Sequence, residues 1–361
     1  MMDFLVYGVS NRIIRNRLLC NLGSEHRLIG VSDSFYDSDV IQGERFISGP
    51  EIPKEQFDYI ILGIKDRDKR ETVKKKLVEY GVDNDRIIGP GILALDAPEF
   101  IPDMRVNIQG AAESMNPSVL IMGLSYSLRG INAAKLDGLD LSWHGQDLYY
   151  NLKWLDKLKK NHEELYGRLE KIILVIPYYY FNYDSSVSAY QYETGQIYVN
   201  RSLYDYHNAF SCINESIRDH LITNSLFGES FWRGKCWRPF WEGTDSVINL
   251  NEKAELLNIW KKTYHNTILE NKQLIIKMVQ ENKEKEIILV IPPVFLKALR
   301  EDELRYFDQM KKHFFNIIED VGNIRLIDCN NSIVEESFFS DYEHLNNMGR
   351  DCFTSILLNQ L

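Results

Sequence analysis

"SVLIMGLSYSLRGI", residues 118–131, decides how the chain is read. Val119 to Met122 are apolar without a break; the run then stops at Gly123-Leu124-Ser125 and passes into a polar, basic turn. A short continuous apolar run bounded by a glycine suits a strand covered on both faces. A serine at the end of such a strand either caps an ordinary βα junction or is a nucleophile held out at a sharp turn. The second reading needs a base, an acid and an oxyanion site from elsewhere in the chain.

Outward from this stretch the same pattern repeats. "LDGLDL" (136–141) predicts a short strand, and Leu148, Leu152, Leu155 and Leu158 have the spacing of a helix after it. "KIILVIPYYY" (171–180) and "KEIILVIPPV" (285–294) read as central strands, and "IRLIDC" (324–329) as a last short one. A long helix is expected over 251–282, and an amphipathic helix at the end of the chain. The first ninety or so residues alternate in the same way, with strands in "DFLVYG", "HRLIGVSD", "FDYIILGI" and "DRIIG" and helices between them. This order implies parallel, doubly wound sheets. Between the two series lies "GPGILALDAPEFIPDM" (89–104), rich in Gly and Pro and without period, where a domain boundary belongs. The expected fold is α/β in two domains. Residues 1–104 form a small Rossmann-like parallel sheet, and residues 105–361 a flavodoxin-like α/β domain with an aromatic-rich insertion over about 181–244.

The 361 residues carry a formal net charge of −10, which argues against nucleic acid or an anionic membrane surface as partner. The one dense basic run, Lys69 to Lys76, is interleaved with Glu71 and Val73 and reads as a solvated helix face. The first residues lack the pattern of a signal peptide, and no apolar run approaches ~18 residues, so no integral membrane segment and a cytoplasmic location are expected. Five scattered cysteines (Cys20, Cys212, Cys236, Cys329, Cys352) form no CxxC pair, which suggests free thiols and no metal site.

A serine is a poor nucleophile until a base takes its proton, and the base works best when a third group orients it. "FFSDYEHLNNMGRD" (338–351) places Asp341 three residues before His344, ahead of the last helix. On a loop that spacing lets the carboxylate reach the nearer imidazole nitrogen while the other faces outward. Ser127 competes with Ser125, and the preceding glycine favours Ser125.

A serine in Gly-x-Ser after the first strand, with Asp-x-x-His before the C-terminal helix, resembles the SGNH (GDSL-like) hydrolase and acyltransferase superfamily over residues 117–361. The resemblance implies Ser125 as nucleophile, His344 as base and Asp341 as its orienting acid. Leu345, Asn346 and the glycine after them resemble the family's continuation. The chain departs from the family pattern in three places. Its first block reads Gly-Leu-Ser where the family has Gly-Asp-Ser. Its second block is "LDLSWHGQDLYY" (139–150), where Gly145 or Ser142 supplies a backbone oxyanion donor, or Gln146 a side-chain amide. In the third block the nearest asparagine is Asn182, at an irregular spacing. His144, inside the second block, is read as packing or as a substrate contact, not as the base.

Gly8-Val9-Ser10-Asn11 stands where a dinucleotide-binding loop would, but only Gly8 survives of G-x-G-x-x-G; Asp33 ends the second strand, where a ribose-binding acid lies. Residues 3–90 resemble the small Rossmann-like domains that precede transferase domains in bacterial sugar-modifying and surface-polysaccharide enzymes. That resemblance implies nucleotide or nucleotide-sugar binding near Gly8, Ser10 and Asp33; a docking role without ligand is the alternative. The tyrosine- and tryptophan-rich insertion is either a glycan-binding lid or a local core.

The function expected is a serine esterase or O-acyltransferase working through an acyl-enzyme on Ser125, on a small molecule or a glycan. No cofactor is required; a transferase would take an acyl donor such as an acyl-CoA. The alternative is a carbohydrate or nucleotide-sugar binding protein that keeps the fold without turnover. The broken glycine motif disfavours a dehydrogenase or epimerase.

Overall fold

Short apolar runs separated by amphipathic segments resolve into two parallel sheets, one in each of two compact units. The structure, a computed structural model, describes residues 2–9, 22–35, 40–41, 43–91, 104–187, 200, 203, 207–208, 219, 222–223, 225–226, 243–249, 268–322 and 324–361. The protein is a two-domain α/β chain.

The first unit comprises Met1–Ile101 and Asn208–Cys236. Its strands are β1 (Asp3–Tyr7), β2 (Arg27–Ser32), the short antiparallel pair β3 (Val40–Ile41) and β4 (Glu44–Arg45), and β5 (Tyr59–Leu62). Helix α1 (Arg67–Glu79) and strand β6 (Ile87–Ile88) follow. The sheet order is β2-β1-β5-β6, parallel throughout. Leu5, Tyr7, Ile60 and Leu62 share a core with Leu77 of α1. Asp66 starts α1 by accepting from the Lys69 N–H at 2.9 Å. The helix stops because Gly81, at φ 103°, lets the Gly81 and Val82 N–H groups turn back onto Val78 O and Leu77 O. Lys69, Lys75 and Lys76 are exposed on it, a solvated face.

The sequence reading assigned the whole of 105–361 to the second domain, but the stretch Asn208–Cys236 groups with the first unit. The Gly23 N–H donates to Leu226 O at 2.9 Å, and the Gly89 N–H donates to Asp219 Oδ2 at 2.7 Å. No local pattern predicts such a return, because the pairing is with residues well over a hundred positions away.

The second unit comprises Pro102–His207 and Trp237–Leu361. In chain order it holds α2 (Met104–Ser114), β7 (Val119–Gly123), α3 (Ser125–Gly130), β8 (Gly138–Asp140), α4 (Leu148–Asn161), α5 (Glu163–Arg168) and β9 (Lys171–Val175). Then come α6 (Ile268–Glu281), β10 (Glu286–Ile291), α7 (Glu301–Glu319), β11 (Arg325–Asp328) and α8 (Asn347–Leu358). The sheet order is β11-β10-β9-β7-β8, all parallel. The chain therefore starts at β7, adds β8 on one side, then reverses and adds β9, β10 and β11 on the other. In open parallel sheets the crevice at such a reversal, outside the carboxyl ends of the strands, is where ligands bind. Here it opens between the ends of β7 and β9.

Residues Val119–Gly123 and Ile172–Val175 are buried on both faces, as their unbroken apolar runs require. Each such aliphatic side chain contributes about 1.5–3 kcal/mol on burial. Within the expected helix over 251–282, the described part is α6, and residues 11–21 of the helix expected between the first two strands lie outside the described residues. In the aromatic insertion the described rings of Tyr180, Phe181 and Tyr183 are buried, with Phe181 5.5 Å from Phe314; these rings form core. Cys329 and Cys352 are free thiols; the other three cysteines lie outside the described residues. Among the described residues no helix is long and apolar enough to cross a membrane.

Candidate active site

The turn after β7 exposes Ser125 because Gly123 can bend where no other residue fits. Gly123 has φ 146°, and a Cβ there would sit 2.5 Å from Val175 O on the adjacent strand β9. Its N–H donates to Asn151 Oδ1 at 3.0 Å, tying the strand end to α4. Leu124 is extended, and α3 begins at Ser125. Ser125 is half-exposed, whereas Ser127 is fully buried and its Oγ accepts from Ser142 Oγ at 2.8 Å. The geometry thus separates the two serines.

The loop before α8 is shaped around the Asp341 carboxylate. Asp341 Oδ1 accepts from the backbone N–H groups of Glu343 and His344, each at 2.9 Å. Asn346 caps α8 by accepting from the Gly349 N–H at 3.1 Å, and Gly349 is a glycine because a Cβ would sit 2.1 Å from Phe338 O. These contacts aim the His344 ring. Its Nδ1 lies 2.8 and 2.9 Å from the two Asp341 oxygens, and its Nε2 lies 2.7 Å from Ser125 Oγ. An ionised carboxylate only accepts, so the proton is on Nδ1 and Nε2 accepts from the Ser125 hydroxyl. Burial alone would raise the Asp341 carboxyl. The His344 ring, the Glu343 N–H and Arg129 outweigh it and hold the group below the usual carboxylate range. The acid is thus ionised, as orienting an imidazolium requires.

The second block wraps the end of β7, with the Trp143 N–H reaching Gly123 O at 3.4 Å. Ser142 is buried and its N–H donates to Asp140 Oδ1 at 2.8 Å. Gln146 is buried, and its amide donates to Leu141 O at 3.0 Å and Asn151 Oδ1 at 2.8 Å. The sequence offered both as oxyanion donors; the structure engages both donors within the core. Gly145 is half-exposed at φ 64°, its carbonyl held by Tyr183 OH at 2.8 Å. Asn182 follows β9, with its N–H on Tyr179 O and its Oδ1 enclosed with no partner among the described residues. His144 is brought close enough to Arg129 and His344 to feel their charge; burial first, then those two, lower its pKa to about 3, so the ring is neutral.

Three further residues stand beside the Ser125–His344 pair, and sequence reasoning missed them. Tyr126 OH donates to Glu343 Oε1, its ring centroid lies 5.3 Å from that of His344, and Arg129 Nη1 lies 3.6 Å from Asp341 Oδ2. Burial, then the Glu343 charge, keep the Tyr126 phenol protonated, its pKa well above the usual value. No spacing rule links these residues across two hundred positions, so no local signal pointed to them.

Among the described residues Asp147, Asp184 and His207 offer ligand atoms within 4.8 Å of one another. Asp147 Oδ2 accepts from the Ser185 N–H and Oγ–H, Asp184 Oδ1 accepts from the Ser186 N–H, and His207 Nε2 lies 2.7 Å from Glu270 Oε1. Burial would lower the His207 pKa, but Asp184 and Glu270 outweigh it and push it up to about 9. At neutral pH the His207 ring is therefore an imidazolium beside these carboxylates.

In the first unit the Gly8 N–H donates to Ser32 O at 2.9 Å, and Asp33 Oδ1 accepts from the Phe35 N–H at 2.9 Å, closing a turn. Ser10 lies outside the described residues.

No protein-family model matches the sequence. No curated protein matches it either. Among solved structures, the chain is similar to a protein from Streptococcus pneumoniae described as a candidate platelet activating factor, at 13% identity and TM-score 0.35, over 71% of this chain and 90% of that one. It is also similar to a catalytic mutant of an acetylxylan esterase from Geobacillus stearothermophilus, at 12% identity and TM-score 0.33, over 68% of this chain and 94% of that one. A likeness at these values says nothing of this chain's substrate.

Proposed function

We propose that the second unit is a serine esterase or O-acyltransferase of the SGNH type, with Ser125 as nucleophile, His344 as base and Asp341 as the acid that orients it. The observation that carries this is the unbroken hydrogen-bonded chain from Ser125 Oγ through His344 to Asp341. In this reading Ser125 Oγ attacks an acyl carbonyl as His344 Nε2 takes its proton, and Asp341 stabilises the imidazolium. The tetrahedral oxyanion faces the Ser125 N–H, which opens α3 and so has no intrahelical acceptor, and the Gly145 N–H. Collapse breaks the bond to the leaving oxygen, which takes the proton back from His344. Water or an acceptor hydroxyl then repeats the sequence on the acyl-enzyme. The resemblance of the first unit to domains of bacterial sugar-modifying enzymes favours a sugar of a surface polysaccharide or glycoconjugate as acceptor or substrate. A transferase would draw its acyl group from a thioester such as an acyl-CoA.

A second reading, a glycan-binding protein without turnover, is favoured by one observation: Ser142 and Gln146 are spent within the core. Incubation with a fluorophosphonate probe and with p-nitrophenyl acetate, beside Ser125→Ala, decides between them. Labelling lost in the variant supports the enzyme. No labelling of the wild-type chain supports the binding protein.

A further inference from the structure

The loop that carries His344 meets α3 at three places. Ser125 meets His344, Tyr126 meets Glu343 and Arg129 meets Asp341. The helix residues stand at positions one, two and five of α3, and their partners run backward along the loop. Two of the three contacts bring a formal charge to the Ser125–His344 pair from opposite sides of the balance. Arg129 is a cation on the acid that orients His344, and Glu343 is an anion next in sequence to it.

We infer that Arg129 and Glu343 are an opposed pair of positioning residues. Together with Tyr126 they hold the loop in register on α3, and they set how readily His344 takes the Ser125 proton. This rests on the reading of Ser125 as a nucleophile. The cation disfavours a second positive charge on the imidazole, and the carboxylate favours it. In general a unit charge a few ångströms from a titrating group, at an effective dielectric of roughly 20 to 80, is worth about half a pH unit or more. Among the described residues the charged and titratable groups around His344 are Asp341 and Glu343 on its own loop, Tyr126 and Arg129 on α3, His144 after β8 and Tyr179 after β9. His144 is neutral and Tyr126 is protonated, which leaves Arg129 and Glu343 as the two formal charges among the described residues beyond the Asp341–His344 pair itself.

The test is the second-order rate constant of fluorophosphonate labelling, measured from about pH 4 to 9 on the full-length chain, with thermal melts to show that each variant is folded. Arg129→Gln removes the cation, so the rate should fall away at higher pH than in the wild type; Glu343→Gln keeps the acceptor for Tyr126 OH but removes the charge, so the rate should fall away at lower pH. The expected displacements are about half a unit or more, in opposite directions. Arg129→Lys should restore the wild-type profile. Tyr126→Phe, which frees the loop while leaving both charges, should lower the plateau rate about tenfold or more through misplacement. Profiles for Arg129→Gln and Glu343→Gln that coincide with the wild type, or that move together, overturn the inference. Labelling of Ser125→Ala at the wild-type rate instead overturns the nucleophile reading on which it stands.

Discussion

His344 Nε2 lies 2.7 Å from Ser125 Oγ across 219 positions of sequence. That distance is within the reach of a hydrogen bond that can pass a proton. It exists because two separate turns, one built on Gly123 and one on Asp341, deliver their side chains to the carboxyl edge of one sheet.

Asp341→Asn should leave the fold intact and reduce labelling and turnover by about four orders of magnitude. An amide in place of the carboxylate turns the imidazole into the tautomer that cannot accept the Ser125 proton. Steady-state kinetics and circular dichroism check it; full activity in the folded variant would remove Asp341 from the mechanism.

Ser127→Ala should retain labelling at the wild-type rate. Its hydroxyl is buried on Ser142, so the loss is one internal hydrogen bond, about 1 kcal/mol of stability. A chemical denaturation curve measures the second effect, and the probe measures the first.

Gly123→Ala should destabilise the chain by about 1–3 kcal/mol and weaken labelling. The added methyl meets Val175 O at 2.5 Å, and φ 146° is a conformation an alanine adopts only under strain. The urea midpoint and the probe together should both fall.

Asn151→Ala should cost about 2–4 kcal/mol. The Asn151 amide, fully buried, accepts from the Gly123 N–H and the Gln146 amide and donates to Asp147 O and Tyr180 OH. Its removal orphans buried donors under the nucleophile turn. A loss below 1 kcal/mol in urea unfolding would mean that water or neighbours take its place.

His207 should make stability fall at alkaline pH. Its folded pKa, about 9, stands above the ordinary 6.5, so the folded state holds the proton more tightly than the unfolded one. The contribution is full below 6.5 and is lost as pH rises through about 9. Asp147, raised to about 6 first by burial and then by Asp184, titrates below this window. Melting temperatures of the wild type and His207→Gln should therefore differ most near pH 6.5 and converge by about pH 10; a constant difference would refute the assignment.

Much of the architecture was legible locally. Strands β7, β9 and β10 announce themselves as unbroken apolar runs, and α1 announces its end with Gly81, because backbone conformation and burial on both faces act over a few residues. The Asp341–His344 spacing was legible for the same reason: the carboxylate and the ring lie on one turn of loop, 2.8 Å apart. Ser142 and Gln146 were misleading, since a donor in the right segment of sequence says nothing about whether a nearby core acceptor has already claimed it.

By itself, then, the sequence determined the order of elements, the glycine that permits the turn at Ser125, and the local pairing of Asp341 with His344. Tertiary structure alone decided which candidate donors are already engaged, that residues 208–236 return to the first unit, and that Tyr126, Arg129 and Glu343 surround the pair. Local patterns record what a residue's backbone and neighbours allow. A hydrogen bond between distant segments depends on how the sheet assembles, and that leaves no periodic trace along the chain.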